Sequence, residues 1–250
     1  MRVLARQIEE PRACSYLPDR RAQLETLVME DVSPAELELL LERGVRRFGP
    51  AYFRPRCAAC QACDSLRVVV AEHRPTRSQR RAMNAARPLR RVIGRPRVDG
   101  ERLALYARWH QSREAARGWE PNPVDLESYA LHFAWPHPSA REVAFRDPAR
   151  ADALVALGLW DVTARAASAV FFFFDPAYAS RSLGIANVAL GIEDARRDGR
   201  AHVYLGYRVH GCPSLEYKGR FAPAEQLVGR PRLDEAPEWA RVDAPQIALE

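Results

Sequence analysis

The chain has 250 residues, 47% of them hydrophobic, a formal net charge of +6 and a pI near 9.3, enough to bury a real core in one large domain or two small ones. No stretch approaches the length of a membrane span, and Met1 to Glu10 holds no apolar signal core, which speaks against membrane contact and leads to the expectation of a cytoplasmic protein. In that compartment the five cysteines read as reduced thiols or metal ligands rather than disulfides. Lys218 is the only lysine, so the other 37 of the 38 basic residues are arginine.

In chain order, residues 1–20 read as extended. Ser33-Pro34-Ala35-Glu36 then opens a helix, with an N-cap serine, proline in the first turn and an acid behind it. Leu37, Leu40 and Leu41 supply its apolar face and Gly44 stops it. Leu66 to Ala71 reads as a short strand. Ser78 to Asn84 looks helical, and a further helix is expected from Glu101 to Trp119. Trp119 to Pro138 reads as a proline- and aromatic-rich loop with a short helix. Strands are expected at 141–149, 154–162 and 167–174, and a surface tail after Val228, with Trp239 as an anchor.

The stretch from Val170 to Phe221 organises the chain. Val170 to Phe174 is a β-branched and aromatic run, too short for a helix and bounded by Asp175-Pro176, so it reads as a buried strand. Ser180-Arg181-Ser182-Leu183-Gly184-Ile185-Ala186 leads into an amphipathic helix that ends at Arg196, Arg197 and Gly199. His202 to Val209 reads as the next strand, followed by a polar, hairpin-like segment. A strand that feeds a helix through such a loop offers backbone N–H groups to an anion. Arg181, Gly184 and Ala186 fit the spacing (arginine, two residues, glycine, one residue, small residue) with which acetyltransferase-type (GNAT) folds cradle a pyrophosphate.

Three further groups carry chemistry. His73 to Val98 contains nine arginines, Arg77, Arg80 and Arg81 among them, and no acid, a pattern suited to a phosphate backbone. Cys57, Cys60 and Cys63, with Cys14 upstream, have a spacing that lets thiolates converge on zinc or an iron–sulfur cluster. Tyr178, Tyr204, Tyr207, Tyr217 and Lys218 form a polar set in the second half. The histidines are scattered, and no Walker loop, dinucleotide fingerprint or zinc-protease motif is present.

Taken together, Cys14-Ser-Tyr-Leu-Pro18, Gly44-Val-Arg-Arg-Phe-Gly49, the Tyr52 to Cys63 segment, Leu66-Arg67-Val68, Ser78-Gln-Arg-Arg81, Phe174-Asp-Pro176, Arg181-Ser-Leu-Gly184, Tyr204-Leu-Gly-Tyr207 and Tyr217-Lys218 resemble, in this order, the aminoacyl-tRNA–protein transferases. The closest resemblance is to the bacterial aspartate/glutamate leucyltransferases. It implies an α/β (α+β) fold with a cysteine-bearing, basic region at 1–100 and a GNAT-like transfer domain at 101–250. It also implies transfer of leucine, or arginine, from charged tRNA to proteins beginning with Asp or Glu, in the N-degron pathway. The partners are then charged tRNA, which serves as co-substrate, and the acidic N-terminus. No cofactor is required for that chemistry.

Within this resemblance Arg77, Arg80, Arg81, Ser180, Arg181, Ser182 and Gly184 bind aminoacyl-tRNA. Tyr204 or Tyr207 orients the amine or the carbonyl, and Tyr217, Lys218 and Arg220 meet the acceptor's acidic side chain. Eukaryotic relatives can hold an iron–sulfur cluster on N-terminal cysteines, which makes Cys14, Cys57, Cys60 and Cys63 the candidate ligands here. Two rival readings stay open. An acetyl-coenzyme A-dependent N-acetyltransferase explains the Arg181 loop, and a non-catalytic metal or iron–sulfur nucleic-acid-binding protein explains the arginines and cysteines.

Overall fold

The structure is a computed structural model that describes residues 1–118, 121 and 123–242. Its first elements are β1 (Arg2–Ile8), β2 (Arg12–Ala13), β3 (Arg21–Ala22), β4 (Leu24–Glu30), α1 (Pro34–Glu42), β5 (Arg46–Phe48), β6 (Ala51–Pro55) and β7 (Cys63–Val69). There follow α2 (Arg77–Ala86), β8 (Arg90–Gly94), α3 (Gly100–Arg117), α4 (Leu126–Phe133), β9 (Ala140–Asp147), β10 (Ala153–Val162) and β11 (Ala166–Phe174). Last come α5 (Leu183–Arg197), β12 (His202–Val209), α6 (Pro213–Glu216), β13 (Ala224–Leu227) and β14 (Trp239–Val242). This is a mixed α/β fold. It divides into two compact units that interleave along the chain: Met1–Arg74, Thr163–Ser168 and Ala195–Glu250 form one, Pro75–Val162 and Ala169–Asp194 the other.

In the first unit, β1, β4, β6 and β5 form one sheet in that order. α1 begins with a capping box: Ser33 Oγ accepts from the Glu36 N–H while the Glu36 carboxylate accepts from the Ser33 N–H at 2.9 Å. Such a cap contributes about 1 kcal/mol. Leu37, Leu40 and Leu41 are buried with Leu27, Met29, Val45, Tyr52 and Tyr204, each leucine worth roughly 1.5–3 kcal/mol in that position. Gly44 ends the helix at φ +73°, where a Cβ would stand 2.8 Å from Leu227. Beneath the sheet Glu25 is fully buried and accepts from Arg54 Nε at 2.7 Å and Arg6 Nη2 at 2.6 Å. The unit's other ladder runs β14, β13, β7, β12, all antiparallel, and Ala166–Ser168 of β11 pairs in parallel with His202–Tyr204.

In the second unit, β9 pairs with β8 and β10 in antiparallel register, and the remainder of β11 follows β10. Tyr106 and Trp109 of α3, Tyr129 and Phe133 of α4 and Phe173 of β11 make an aromatic core, Tyr106 standing edge-on to Phe173 at 5.5 Å. Arg102 is 1% exposed and is neutralised by Glu142 and Asp99, as a buried charge must be. α5 packs closely on β10 because Gly191 is bare: a Cβ there would meet the Trp160 ring at 2.3 Å.

Several elements differ from the sequence reading. β7 begins at Cys63, so that cysteine lies in a strand rather than in the loop before it. Between Val170 and Phe174 only Phe173 is buried, since the other side chains of the run are partly open. Residues 176–181 form a 3-10 turn instead of an open loop, and 213–220 form α6 and another 3-10 turn instead of a hairpin. The tail contributes β13 and β14, while Trp239 does anchor it, with Nε1 donating to the Glu42 carbonyl at 3.1 Å. The expected helix end at Trp119 lies outside the described residues.

Candidate functional site

The residues expected to bind tRNA fall in the second unit. α2 starts at the N-cap Thr76, whose Oγ1 accepts from the Gln79 N–H, while Gln79 reaches back to the Thr76 N–H at 2.8 Å. Gln79, Ala82 and Ala86 are buried, which leaves Arg77, Arg80, Arg81 and Arg87 exposed along the other faces. Arg80 donates to the Pro75 carbonyl, whereas Arg77, Arg81 and Arg87 make no ion pair among the described residues. The rest of the arginine run is committed elsewhere. Arg90 pairs with Asp152 and Arg91 with Asp194, Arg95 donates to the carbonyls of His137 and Pro138, and Arg97 lies 3.8 Å from Glu142. The run's local lack of acid is thus made good by acids brought in from other elements.

The 3-10 turn at 176–181 packs near α2. Tyr178 in it is buried and donates to Asp147, and the Arg181 guanidinium lies 5.1 Å from the Tyr178 ring. The Tyr178 hydroxyl bond, then the Ala149 N–H and the charges of Arg181 and Arg150, outweigh burial and hold the Asp147 carboxyl below its ordinary range. Ser180 and Ser182 are exposed, and Ser182 takes φ +51° as the chain enters α5. The first N–H groups of α5, at Leu183, Gly184 and Ile185, have no place in the helix's own bonding pattern. A Cβ at Gly184 would make only an ordinary 3.6 Å contact with Phe172, so packing does not require glycine there.

The polar set belongs to the first unit. Tyr204 packs in the α1 core, accepts from Arg67 Nη1 at 3.4 Å and stands 5.7 Å from the Trp239 ring. Burial pushes its phenol up to about 12. Tyr207 follows a register shift in the β12–β7 ladder at Gly206, and its hydroxyl is spent on the carbonyls of Gly44 at 2.8 Å and Phe53 at 3.2 Å. Burial raises it as well. Both phenols stay protonated at neutral pH, and both hydroxyls are engaged inside the protein. Lys218 Nζ donates to the Tyr207 carbonyl at 3.0 Å, and burial, then the charge of Arg46, lowers its pKa to about 7. Tyr217 is raised by burial and partly relieved by the same arginine, while Arg220 is exposed.

Cys14, Cys57, Cys60 and Cys63 are neighbours as well. Burial, then the charges of Cys57, Cys14 and Cys60, push the Cys63 thiol up to about 12. Among the described residues no three His, Cys, Asp or Glu side chains converge as metal ligands would. The backbone explains this: Cys63 is fixed in the β7 ladder, and Arg230 holds the Cys57 and Cys60 carbonyls at 2.8 and 2.5 Å. The four-thiolate set expected from spacing is not assembled, and no step below runs through a metal.

Two features of this unit were not visible in the sequence. His210 Nε2 lies 2.5 Å from Asp64 Oδ2, which also accepts from Arg208 at 3.0 Å. The β7–β12 register pairs Arg208 with Asp64, and His210 follows just past the end of β12. Beside them a cleft of about 220 Å³ is lined by Arg43, Arg54, Asp64, Gln226 and Arg230 among others.

Two family descriptions match this chain: "Arginine-tRNA-protein transferase, N terminus" over residues 12–81 and "Arginine-tRNA-protein transferase, C terminus" over residues 101–228. The aspartate/glutamate leucyltransferase of Helicobacter hepaticus is 31% identical over 231 residues, spanning 92% of this chain and 95% of its own length. Those of Chromohalobacter salexigens and Stenotrophomonas maltophilia K279a are 37% and 39% identical, spanning 88% and 87% of both chains. Among solved structures, FemX superposes with a TM-score of 0.43 at 8% identity, over 80% of this chain and 79% of that one. The chain belongs to the aminoacyl-tRNA–protein transferase family. It is an enzyme, an aminoacyltransferase.

Proposed function

We propose that the enzyme transfers leucine, rather than arginine, from its charged tRNA to the α-amine of proteins beginning with Asp or Glu, in the N-degron pathway of the cytoplasm. The observation that carries this reading is the similarity, across 87% or more of the chain, to three aspartate/glutamate leucyltransferases. The donor ester is already activated, and an α-amine ionises near 7.7–8.0. The amine nitrogen bonds to the ester carbonyl, the bond to the tRNA 3′ oxygen breaks, and an amine proton goes to that oxygen. Positioning the two reactants supplies much of the rate.

In this reading Arg77, Arg80 and Arg81 hold the tRNA backbone. Arg181, Ser180, Ser182 and the first N–H groups of α5 hold the 3′ end, a task suited to a helix N-terminus. Tyr217, Lys218 and Arg220 take the acceptor's acidic side chain. Tyr204 and Tyr207, with their hydroxyls engaged, act by positioning that site. The GNAT-like architecture is supported by the succession β11–α5–β12 with parallel strands. A functional division near residue 100 is supported by the gap between the two family matches.

The test is purified protein with an Asp-initiated peptide and, separately, leucyl- and arginyl-tRNA. Leucyl transfer that is abolished by ribonuclease is the expected result. Product formed from acetyl-coenzyme A without tRNA would overturn the reading.

A further inference from the structure

β12 ends at Val209, and His210 sits where the chain leaves the sheet. Its N–H donates to the Ala62 carbonyl at 3.1 Å. Gly211 then turns at φ +81°, with its own N–H donating to the Glu216 carboxylate at 2.9 Å. The backbone beneath the imidazole is thus held on both sides, while the ring itself stays 57% exposed. Its Nε2 lies 2.5 Å from Oδ2 of Asp64, whose side chain is only 10% exposed, and 3.2 Å from Arg208 Nη2. A carboxylate paired with a guanidinium has only acceptors to offer, so the ring proton belongs on Nε2 and the lone pair on Nδ1. Among the described residues no hydrogen bond engages Nδ1.

Arg208 joins this pair to the turn assigned to the acceptor. Its Nη2 also donates to Gln226 Oε1 at 3.2 Å, and its stem lies against the bare α-carbon of Gly219. A Cβ at Gly219 would stand 3.2 Å from Arg208 Nη1 and 3.3 Å from Cδ. Gly219 directly follows Lys218 in the Tyr217–Arg220 turn. The imidazole and the acceptor turn therefore flank one guanidinium, within one unit of the chain. The phenols nearby cannot take a proton from the amine, because Tyr204 and Tyr207 keep theirs at neutral pH.

We propose that His210 is the proton acceptor of the transfer, its Nδ1 taking a proton from the acceptor's α-amine, with Asp64 as the positioning residue that fixes its tautomer. This deepens the reading above and rests on it. As the amine nitrogen bonds to the ester carbonyl carbon, one amine proton passes to Nδ1. As the bond to the tRNA 3′ oxygen breaks, the imidazolium gives that proton to the departing oxygen and returns to its neutral form. Between the two events the Asp64 carboxylate stabilises the charged ring through Nε2–H, as a buried carboxylate does for an exposed histidine base.

The experiment measures kcat and KM for an Asp-initiated peptide with leucyl-tRNA, together with charged-tRNA affinity and a thermal melt. His210→Gln should lower kcat by about a hundredfold, with KM for the peptide within about threefold and tRNA affinity within about twofold of wild type. Free imidazole should raise the rate of His210→Ala at least about threefold and leave wild type unchanged, a response that a merely structural histidine would not give. Asp64→Asn should lower kcat at least about tenfold, and Asp64→Glu, which keeps the carboxylate, should lose less. Where the Asp64 variants do not fold, the exposed His210 variants decide. A folded His210→Gln with kcat within about threefold of wild type, or with its loss confined to KM, overturns the proposal. A wild-type enzyme that transfers no leucine to the peptide overturns the underlying reading instead, so the two failures are told apart.

Discussion

The hydroxyl of Tyr207 donates to the main-chain carbonyl of Gly44 at 2.8 Å, joining the end of α1 to β12 across 163 residues. Both groups are buried, so the bond closes a pair of polar atoms that water cannot reach. Tyr207→Phe would leave the Gly44 carbonyl unmet at a cost of about 1–3 kcal/mol. The expected outcome is a lower melting temperature with kcat largely kept at temperatures where the variant is folded. An unchanged melt with kcat down a hundredfold would show instead that the phenol takes part in the chemistry.

On α2, the arginines that make no ion pair among the described residues are separated in role from those that sit near them in sequence. Arg77→Ala and Arg81→Ala should each weaken tRNA binding and reduce the slope of log affinity against log salt by about 1. Arg90→Ala should leave that slope unchanged, because Arg90 is paired with Asp152. As an exposed pair, screened by solvent, it should also contribute little to stability. Binding measured at several salt concentrations decides the matter, and equal slopes for all three variants would remove α2 from the interface.

Glu25 and Arg54 make a third expectation. Burial favours the neutral acid at Glu25, but the hydrogen bond and charge of Arg54, then those of Arg6, outweigh it and hold the carboxyl below its ordinary value. A depressed carboxyl stabilises the fold above its unfolded pKa, and that contribution fades as pH falls through the folded value. Glu25→Gln leaves Arg54, with a side chain only 5% exposed, without its anion, at a cost of roughly 3–5 kcal/mol. Urea titrations at pH 7 and pH 3 should show the gap between wild type and variant narrowing at the lower pH. A gap that widens in acid would mean that the pair does not act through charge.

Local chemistry was legible in the sequence. The N-cap serine of α1 and the strand–helix–strand order from Val170 to Val209 emerged because each signal lies within a few residues of what it specifies. Long-range pairing was not legible. Ala224–Leu227 has no distinctive alternation, and it is a strand because β7 offers it an edge. The arginine run looked uniformly basic because Asp152, Asp194 and Glu142 arrive from other elements. The spacing of Cys57, Cys60 and Cys63 suggested convergence, but the β7 ladder fixes where Cys63 points.

Lys218 carries the last prediction. An unfolded chain keeps its lysine near the ordinary 10.5, whereas burial and Arg46 lower the folded value to about 7. Between those two values the unfolded chain binds a proton that the folded chain does not, so stability contributed by this residue rises with pH in that window. Lys218→Met should therefore raise the melting temperature more at pH 6.5 than at pH 9. The acceptor acts in the opposite direction. A carboxylate seated beside Lys218 favours its charged form, so above pH 7 an acidic peptide must bring a proton with it. The groups facing the ammonium are Arg46, Cys63 and Cys212. Arg46 stays charged throughout, and burial keeps the Cys63 thiol protonated near neutrality, so the lysine dominates the titration. The ratio of KM values for Asn- and Asp-initiated peptides largely cancels the ionisation of the α-amine, which both peptides share. In the wild-type enzyme that ratio should fall by on the order of tenfold from pH 6.5 to 8.5, and in Lys218→Met it should be low and flat. A wild-type ratio that stays level across this range would mean that Lys218 lies outside the acceptor pocket.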